Sequence, residues 1–583
     1  MKKLTLVVIS LFFYITAFSQ EDPNLKDKPI IETDVEFDNG SQIVINPLNS
    51  ELIRNLDLLG RVWGFLKYYH PEVAKGKYNW DYELFRILPK YTQAKNNIDR
   101  DNILLNWIVS FGETDICDAC EDSLTKEAVI LPDLNWITNS QLLPELRDKL
   151  LYIKKNRFQG EHFYIEQAPG IGNPLFNNEN PYSSMVYPDK GYRLLALYRY
   201  WNMIQYFFPY KYLMDKDWNN TLKEYLPRFI DAKNELEYEL AAIEIIGDLK
   251  DTHANIYKGH DKIEEQVVGK LWPPVFVKFV ENKLVVTDYF KPEMQSTIGL
   301  KLGDVITKIN GRLVETIVKE KSKIYPASNY PTRLRNMAEH LLRSNSNFIT
   351  IEYLRNGTEK TMKLPLYEKE EVNAYRWFRP DPNGKSFKFL RDDIGYVTLK
   401  NIKNEDIDSI KKQFKNTKGI IVDIRNYPST YVVYTLGAFF VEKTTPFVEF
   451  MISDITNPGK FIKVPEVSVK VKEAEENYNG KLVVLVNEIT QSQAEYTAMA
   501  FRANKSTTII GSTTAGADGN ISRITLPGDI VTCISGIGVY YPDGTETQRV
   551  GIVPDITVLP TIKGIREGRD ELIEKAIEVI DND

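Results

Sequence analysis

The chain has 583 residues, of which 43% are hydrophobic, 12% aromatic and 26% charged. This composition is typical of a folded globular protein, and the length predicts about three or four domains. The formal net charge is −7, and no stripe of basic residues is present. Because binding to nucleic acid or to an anionic membrane surface needs a basic face, the sequence excludes both as expected partners.

The chain begins with MKKLTLVVISLFFYITAFSQ, which has the pattern of a secretory signal peptide. Two lysines precede an apolar run, and small residues follow up to Ser19, after which cleavage is expected. The alternative is a membrane anchor helix, but the apolar run is short for a helix that spans a bilayer. We therefore predict that residues 1–19 are a signal peptide, that the protein is exported to the periplasm or the extracellular space, and that it has no stable membrane anchor.

Residues 20–262 contain an internal repeat. The segment RVWGFLKYYHP returns 138 residues later as RYWNMIQYFFP, and the same offset places Trp80 on Trp218. Apolar positions recur at helical spacing in both copies, so each copy is predicted to be a helical unit with an aromatic core. The first copy belongs to a predicted region 20–190, and the second forms a predicted region 191–262.

The two copies end differently. The first ends near DICDACEDS, which holds Cys117 and Cys120, and in an exported protein such a pair usually forms a local disulfide. The alternative is a redox or metal protein built on this pair, but two thiols are too few for a closed zinc site, and we expect neither a metal nor a cofactor. The second copy ends in GDLKDTH, with His253 after a predicted helix. His70 lies where the second copy has Phe208, which indicates packing.

Residues 263–367 have a different pattern. PPVFVKFVENKLVVTDYF is strand-like with a turn in its middle, and NFITIEYLRNGTEKTMKLPL indicates a hairpin with its turn at Asn356 and Gly357. One helix is predicted between them. This region is therefore predicted to be a compact β-rich domain.

Residues 368–583 alternate apolar strands with helical stretches, which predicts a largely parallel α/β core. Ligands of such sheets bind beyond the carboxyl ends of the strands. Ser492, in NEITQSQAEYTAMAF, lies there after the strand KLVVLV. A serine three residues before a glutamate, here Glu495, also fits a helix capping box. The two interpretations are compatible, because the N-terminus of a helix favours developing negative charge.

Several motifs, in this order, resemble those of the C-terminal-processing (tail-specific) and tricorn-type serine peptidases. GDLKDTH resembles the segment with the tricorn-type histidine, and GLKLGDVITKING is similar to a PDZ signature. DIGYVTL and GIIVDIRNYPS resemble the opening strands of the peptidase core, TQSQAE its nucleophile motif, and GSTTAGADG with VGIVPDI its closing segments. The resemblance covers about residues 240–560. It implies a multidomain α+β fold: duplicated helical units, a PDZ-like domain and an α/β crotonase-like peptidase core.

The resemblance implies Ser492 as the nucleophile and divides the family by the base. The tail-specific branch uses a lysine, but TAGADG places Ala517 at that position, and no lysine occurs between Lys505 and Lys563. A serine hydroxyl needs a base, and histidine is best matched to neutral pH. His253 matches the tricorn-type histidine and is the expected base.

The resemblance also implies the remaining members of the site. Glu546 is similar to the glutamate that orients the histidine, although an exposed turn carboxylate is the alternative. The backbone N–H of Gln493, after the nucleophile, is the first expected oxyanion donor. The family takes another from a Gly-Gly pair, where this chain has Tyr427, Pro428 and Ser429. Proline has no N–H, so Ser429 is expected to donate, with Tyr427 as the alternative.

The leading hypothesis is an exported serine peptidase that cleaves protein or peptide substrates through an acyl-enzyme. The PDZ-like domain would bind the free C-terminus or an extended strand of the substrate by strand addition. The alternative is a catalytically inactive homologue that acts as a peptide-binding or assembly scaffold. The missing lysine, the missing glycines and the doubled helical unit motivate that alternative, whereas the presence of both Ser492 and His253 argues against it.

Overall fold

A computed structural model of the chain describes residues 33–120, 128–374, 380–381, 383–471 and 477–582. The predicted signal peptide, residues 1–19, lies outside the described residues. Among the residues described, no helix is long and apolar enough to cross a membrane.

The helices form an N-terminal group and a more scattered later group. The N-terminal helices are α1 (Ser50–Tyr69), α2 (Pro71–Ala74), α3 (Trp80–Tyr91), α4 (Asn97–Val109), α5 (Asn135–Asn139), α6 (Pro144–Lys155), α7 (Lys190–Phe207), α8 (Trp218–Ile230) and α9 (Glu235–Gly247). The later helices are α10 (Gln295–Ile298), α11 (Val314–Lys321), α12 (Tyr330–Ala338), α13 (Asp406–Phe414), α14 (Leu436–Phe440), α15 (Gln493–Arg502), α16 (Ile562–Glu567) and α17 (Glu571–Asn582).

The strands lie mainly in the second half of the chain. The first ten are β1 (Ala128–Ile130), β2 (Ile165–Gln167), β3 (Pro174–Phe176), β4 (Ile256–Lys258), β5 (Val275–Val280), β6 (Lys283–Tyr289), β7 (Val305–Ile309), β8 (Arg312–Leu313), β9 (Phe348–Arg355) and β10 (Thr358–Pro365). They are followed by β11 (Phe387–Arg391), β12 (Ile394–Thr398), β13 (Gly419–Asp423), β14 (Thr445–Ser453), β15 (Phe461–Val469), β16 (Lys481–Val486), β17 (Thr508–Gly511), β18 (Ile521–Leu526), β19 (Ile530–Ser535), β20 (Gly538–Tyr540) and β21 (Ile556–Thr557).

The sequence repeat is also a structural repeat. Helices α1, α3 and α4 correspond to α7, α8 and α9, and α3 and α8 begin at residues 138 positions apart. In the first copy the indole N–H groups of Trp63 and Trp80 each donate to the other residue's carbonyl, both at 3.0 Å. Trp201 and Trp218 repeat this exchange at 3.0 and 3.1 Å. All four side chains are buried, so the aromatic residues form the core as predicted.

The region predicted to be β-rich folds around its own antiparallel sheet, with strand order β10-β9-β7-β6-β5 and β8 paired to β7. The predicted hairpin is present, since Arg355 pairs with Thr358. Asn356 and Gly357 both have positive φ, of 52° and 80°, as a tight two-residue hairpin turn requires. Helices α11 and α12 cover one face of the sheet and share its apolar core.

The C-terminal core contains a sheet with strand order β11-β12-β13-β16-β17-β21. Its strands pair in parallel from β12 to β21, and β11 is antiparallel at the edge. This confirms the predicted parallel α/β arrangement. The carboxyl ends of β13 and β16 are neighbours, because Asp423 pairs with Leu485.

A smaller sheet joins the second helical repeat to this core. Strand β4, which follows His253, pairs with β19 of the C-terminal region, with Ile256 opposite Thr532. The end of the second repeat is thereby fixed against the core. The first repeat ends in a disulfide between Cys117 and Cys120, as predicted.

Candidate active site

Ser492 lies at a sharp turn between strand β16 and helix α15. It is the N-cap residue of α15 and has φ 57° and ψ −122°. A residue other than glycine at positive φ costs about 1–3 kcal/mol and is held in place only where the surroundings enforce it. A strained serine between a strand and a helix is the geometry of a nucleophile elbow, which presents the hydroxyl above the sheet. The predicted cap and the predicted nucleophile are therefore the same residue in one strained turn.

The side chain of Glu495 stabilises this turn by accepting hydrogen bonds. Its buried carboxylate accepts backbone N–H groups from Ser492 at 3.1 Å, Gly516 at 2.8 Å and Ala517 at 3.1 Å, and also the hydroxyl of Thr514. Burial raises the pKa of Glu495, while the hydrogen bonds that it accepts act in the opposite direction. The glutamate half of the capping box thus ties the serine turn to the segment TAGADG.

The segment TAGADG lies directly against the serine. The backbone N–H of Ser492 donates to the carbonyl of Ala517 at 3.0 Å, and the N–H of Ala515 donates to the carbonyl of Thr490 at 2.9 Å. The side chain of Ala517 is fully buried. The position that would carry a lysine in the tail-specific branch is therefore filled by a methyl group in this protein.

His253 is 4% exposed and belongs to a buried hydrogen-bonded group. Its Nδ1 lies 2.9 Å from the hydroxyl of Ser535. The carboxylate of Asp251 accepts that hydroxyl at 3.0 Å, the backbone N–H of Ser535 at 2.7 Å and the backbone N–H of His253 at 3.0 Å. Burial lowers the pKa of His253, and Asp251 partly opposes this. The imidazole is thus held neutral at neutral pH, which is the form that accepts a proton.

The same segment connects His253 to the serine turn. Thr252, the residue before His253, donates its hydroxyl to the carbonyl of Ala515 at 2.9 Å. Ala515 in turn bonds to the loop that leads into Ser492. The structure thereby brings the second helical repeat and the nucleophile elbow to the two sides of TAGADG, although His253 and Ser492 are 239 residues apart in the chain.

Glu546 has other partners. Its carboxylate accepts the hydroxyl of Tyr212 at 2.7 Å, and its backbone pairs with that of Tyr540. Within the described ranges, no hydrogen bond joins Glu546 to His253, whose ring contacts Ser535 instead. The orienting role of Glu546 stays a prediction.

The two expected oxyanion donors differ in their surroundings. Gln493 is the first residue of α15, where backbone N–H groups have no partner inside the helix. The N–H of Ser429 already donates to the carbonyl of Leu399 at 2.9 Å. The expectation for Ser429 is therefore corrected, because its N–H is not free to bind an oxyanion. The alternative, Tyr427, lies at the same edge of the sheet and is 56% exposed.

Sequence reasoning missed three residues of the site. Asp251 and Ser535 surround His253, and Asp518 follows Ala517 with a carboxyl that is 1% exposed. Burial and the nearby charge of Glu495 raise the pKa of Asp518 well above its ordinary value. One oxygen of Asp518 has no hydrogen-bond partner among the described residues. The available signal was an acidic residue beside Ala517, the position where the tail-specific branch has a lysine.

Aromatic side chains surround the start of α15. Tyr496, whose N–H donates to the carbonyl of Ser492 at 3.0 Å, has its hydroxyl 3.2 Å from that of Tyr434. The ring of Tyr431 stacks on Tyr496 with 6.4 Å between centroids. Tyr431 and Tyr434 are 47% and 41% exposed. They form an apolar, accessible surface one helical turn from the serine.

The β-rich domain also contacts the loop before the serine. Arg335 of α12 donates to the carbonyl of Glu488 at 2.8 Å and to the side-chain oxygen of Gln491 at 3.1 Å. A cavity of about 240 Å³ lies beside this contact and is bordered by Thr252 and Tyr257. Helix α12 therefore contacts the loop that leads to Ser492 and borders the same cavity as Thr252, the residue before His253.

Comparison with known proteins agrees with this architecture. Residues 393–558 match the model of peptidase family S41. A "probable CtpA-like serine protease" of Staphylococcus aureus (strain COL) is 23% identical over 326 residues, which cover 51% of this chain and 56% of that protein. A protein of the same description from Staphylococcus haemolyticus is 21% identical over 327 residues, which cover 51% and 57%. The chain thus spans just over half the length of the curated relatives it matches.

Solved structures share the fold. The crystal structure of mature CPAF has a TM-score of 0.52 and 14% identity, and the match covers 68% of this chain and 98% of that one. Mature CPAF complexed with lactacystin has a TM-score of 0.52 and 13% identity, over 68% and 99%. The chain is a multidomain α+β protein with a parallel α/β core. The resemblance seen in the sequence is confirmed, because residues 393–558 match the model of peptidase family S41.

Proposed function

We propose that this protein is a serine peptidase that hydrolyses peptide bonds through an acyl-enzyme. The observation that carries the proposal is the strained elbow at Ser492, packed through TAGADG against a loop that holds the buried His253. A binding protein has no need for a serine held at a cost of about 1–3 kcal/mol. Strain of this kind is typical of catalytic nucleophiles.

The proposed mechanism assigns a role to each residue of this site. His253 takes the proton of the Ser492 hydroxyl as the oxygen attacks the substrate carbonyl. The negative charge develops at the N-terminus of α15, where the N–H of Gln493 and the helix dipole stabilise it. The imidazolium then protonates the leaving amine, and water, activated by the same histidine, hydrolyses the acyl-enzyme. Glu546 is the orienting group that the family resemblance implies.

Substrate binding is proposed to involve the β-rich domain as a PDZ-like module. Its strand β5 lies at the edge of the sheet, and α12 packs against it. An edge strand beside a helix can bind an extended peptide or a free C-terminus by adding a strand. The contact of Arg335 with Gln491 supports communication between such a peptide and the serine turn.

The proposal includes export and a crotonase-like core. The N-terminal sequence has the pattern of a signal peptide. The disulfide between Cys117 and Cys120 fits an oxidising compartment outside the cytosol. The parallel strands β12 to β21, with the candidate nucleophile beyond the end of β16, support the proposed core.

A second candidate is an inactive homologue that binds peptides. This candidate is favoured because the N–H of Ser429 already donates to the carbonyl of Leu399, so Tyr427 would have to supply the second oxyanion donor. It predicts that the purified protein binds peptides through the β-rich domain and never turns them over.

The test is to label the purified protein with a fluorophosphonate probe and to measure cleavage of an unfolded protein substrate. Ser492→Ala should abolish labelling and lower turnover by about 10⁴-fold or more. His253→Ala should lower both to a similar extent. Ser506→Ala removes an exposed serine just beyond α15 and is the matched control, expected to leave both unchanged.

Equal turnover of the wild type and Ser492→Ala would overturn the assignment of the nucleophile. An absence of labelling and turnover in every form, with peptide binding retained, would favour the inactive homologue.

A further inference from the structure

We propose that Asp251 and Ser535 together orient His253, the role that the resemblance assigned to Glu546. The hydrogen-bonded chain from His253 through Ser535 to Asp251 is called the relay below. This inference rests on the proposed function and concerns the same site. Ser535 and Asp251 are positioning residues, because they act through the imidazole and do not touch the substrate. The proposal follows from where the protons of this buried group must lie.

The number of available protons determines which group donates and which accepts in each hydrogen bond of the relay. The carboxylate of Asp251 can only accept, and three donors surround it: the N–H of His253, the N–H of Ser535 and the hydroxyl of Ser535. A serine hydroxyl has a single proton. Because a carboxylate cannot donate, both contacts of the Ser535 hydroxyl are satisfied only if its proton goes to Asp251 and its oxygen accepts from Nδ1 of His253, 2.9 Å away.

This direction selects the tautomer of the histidine. When Nδ1 is protonated and donates a hydrogen bond to the hydroxyl oxygen of Ser535, Nε2 of the neutral ring is unprotonated and has a free lone pair. Nε2 is the nitrogen that a serine base of this kind uses, and an orienting group on Nδ1 is what holds that tautomer in other triads. The relay therefore prepares His253 to accept the proton of Ser492.

The relay also stabilises the imidazolium that forms during reaction. A carboxylate oxygen of Asp251 lies 4.0 Å from Nδ1, with the hydroxyl of Ser535 bridging the two groups. Asp251 and Ser535 are fully buried. In such a site of low dielectric constant the attraction between carboxylate and imidazolium is stronger than in water.

The backbone makes this arrangement rigid. Ser535 ends strand β19, where it pairs with Ile521 of β18. Strand β4, three residues after His253, pairs with the other side of β19. The histidine and its partner serine are thus held by the same sheet. Glu546, by contrast, bonds to Tyr212 on the helical side of the molecule.

The first experiment compares Ser535→Ala and Asp251→Asn with the wild type. Both variants should lose on the order of 10²-fold or more in kcat with KM nearly unchanged, because the substrate does not contact them. Ser535→Thr keeps the hydroxyl and should restore most of the activity. Ser453→Ala removes a buried strand hydroxyl that has no partner among the described residues, and it is the matched control, expected to leave kcat unchanged.

The second experiment needs no variant of the relay. Nitrogen-15 spectra of histidine-labelled protein report which ring nitrogen of each histidine carries the proton, and His253→Ala identifies the signals that belong to His253. We expect the Nδ1–H tautomer in the wild type. The Nε2–H tautomer would overturn the relay, because Nδ1 would then accept from Ser535.

The outcomes separate the relay from the proposed function. If turnover depends on Ser492 but Ser535→Ala and Asp251→Asn keep full kcat, the relay is wrong and the peptidase stands. A loss of kcat in Glu546→Gln that exceeds the loss in both relay variants would also overturn the relay and return the role to the glutamate. If no form shows turnover that depends on Ser492, the proposed function fails, and the nitrogen-15 tautomer still decides the relay.

Discussion

The two helical repeats share a scaffold and differ in the segment after their last helix. The offset that places Trp80 on Trp218 also places Glu113 on Asp251 and Asp115 on His253. In the first copy these two acidic residues are exposed, and the side chain of Glu113 is 91% accessible. In the second copy Asp251 and His253 are buried. The same helical unit thus ends once at the surface and once inside a candidate active site.

The cause of the difference lies in the neighbours of each copy. The end of the second copy is covered by β19 and by TAGADG, through the pairing of β4 and the hydroxyl of Thr252. The end of the first copy is held by contacts within its own region: the backbone N–H of Cys117 donates to the side-chain oxygen of Asn156 at 3.0 Å, and the disulfide sulfur of Cys120 lies 3.2 Å from the carbonyl oxygen of Arg157. The same scaffold is therefore buried where the C-terminal core covers its end and exposed where the core does not.

Exchanging residues between the copies is the sharpest test of this comparison. His253→Asp gives the second copy the residue of the first and should lower turnover by about 10⁴-fold, because a carboxylate is a far weaker base than the imidazole it replaces. The reverse change, Asp115→His, should leave the turnover of the wild type unchanged, because Asp115 lies in an exposed loop. Turnover and fluorophosphonate labelling measure both. Full activity in His253→Asp would show that the base lies elsewhere.

The tryptophan pairs test whether the two scaffolds serve different purposes. Trp80→Ala and Trp218→Ala each remove a buried indole and its exchanged hydrogen bond, and each should lower the free energy of unfolding by about 3–5 kcal/mol. The midpoint of urea unfolding, followed by circular dichroism, measures this cost. Only Trp218→Ala should also lower the kcat of the folded protein, because α8 and α9 position His253.

Equal losses of kcat in the two tryptophan variants would contradict the separation of the copies. Trp218→Phe is the conservative control: it keeps an aromatic ring and loses the N–H, so its effect on stability should be smaller than that of alanine.

Much of this architecture could be predicted from the sequence. The repeat, the hairpin at Asn356 and the parallel core depend on local periodicity and turn chemistry, which the sequence shows directly. Ser492 could be predicted because its cap pattern and the preceding strand are adjacent in the chain. His253 could be predicted because GDLKDTH and the motifs after it resemble, in the same order, those of the serine peptidases.

The remaining parts of the site depend on long-range contacts. Ser535 is 284 residues from Asp251, and the pairing of β4 with β19 brings them together. The N–H of Ser429 was expected to be free because the sequence could not show that Leu399 would bind it. Local sequence thus predicts which elements form, whereas the partner of each polar group depends on the tertiary fold.

His70 and Phe208 occupy the same position in the two copies, and they predict a difference in acid. His70 is fully buried, its ring nitrogens have no hydrogen-bond partner among the described residues, and burial lowers its pKa to about 4. Between the ordinary pKa of about 6.5 and about 4, only the unfolded chain binds this proton. The native state should therefore lose about 3 kcal/mol as pH falls through that range.

The measurement is the thermal midpoint of the N-terminal region between pH 7 and pH 4. His70→Phe gives the first copy the residue of the second and should remove this part of the acid sensitivity. Phe208→His should add a comparable part. If His70→Phe leaves the slope against pH unchanged, protonation of His70 does not contribute to acid unfolding.

The disulfide should have the smallest effect, although it is the most conspicuous feature at the end of the first copy. Cys117 and Cys120 close a short ring, so the bond restricts the unfolded chain little and contributes about 2 kcal/mol or less. Replacing both residues with serine should lower the unfolding midpoint slightly and leave Ser492-dependent turnover unchanged, and a reductant should do the same to the wild type. A loss of turnover would mean that the end of the first copy also contributes to turnover. The two copies would then differ only in the size of their contribution.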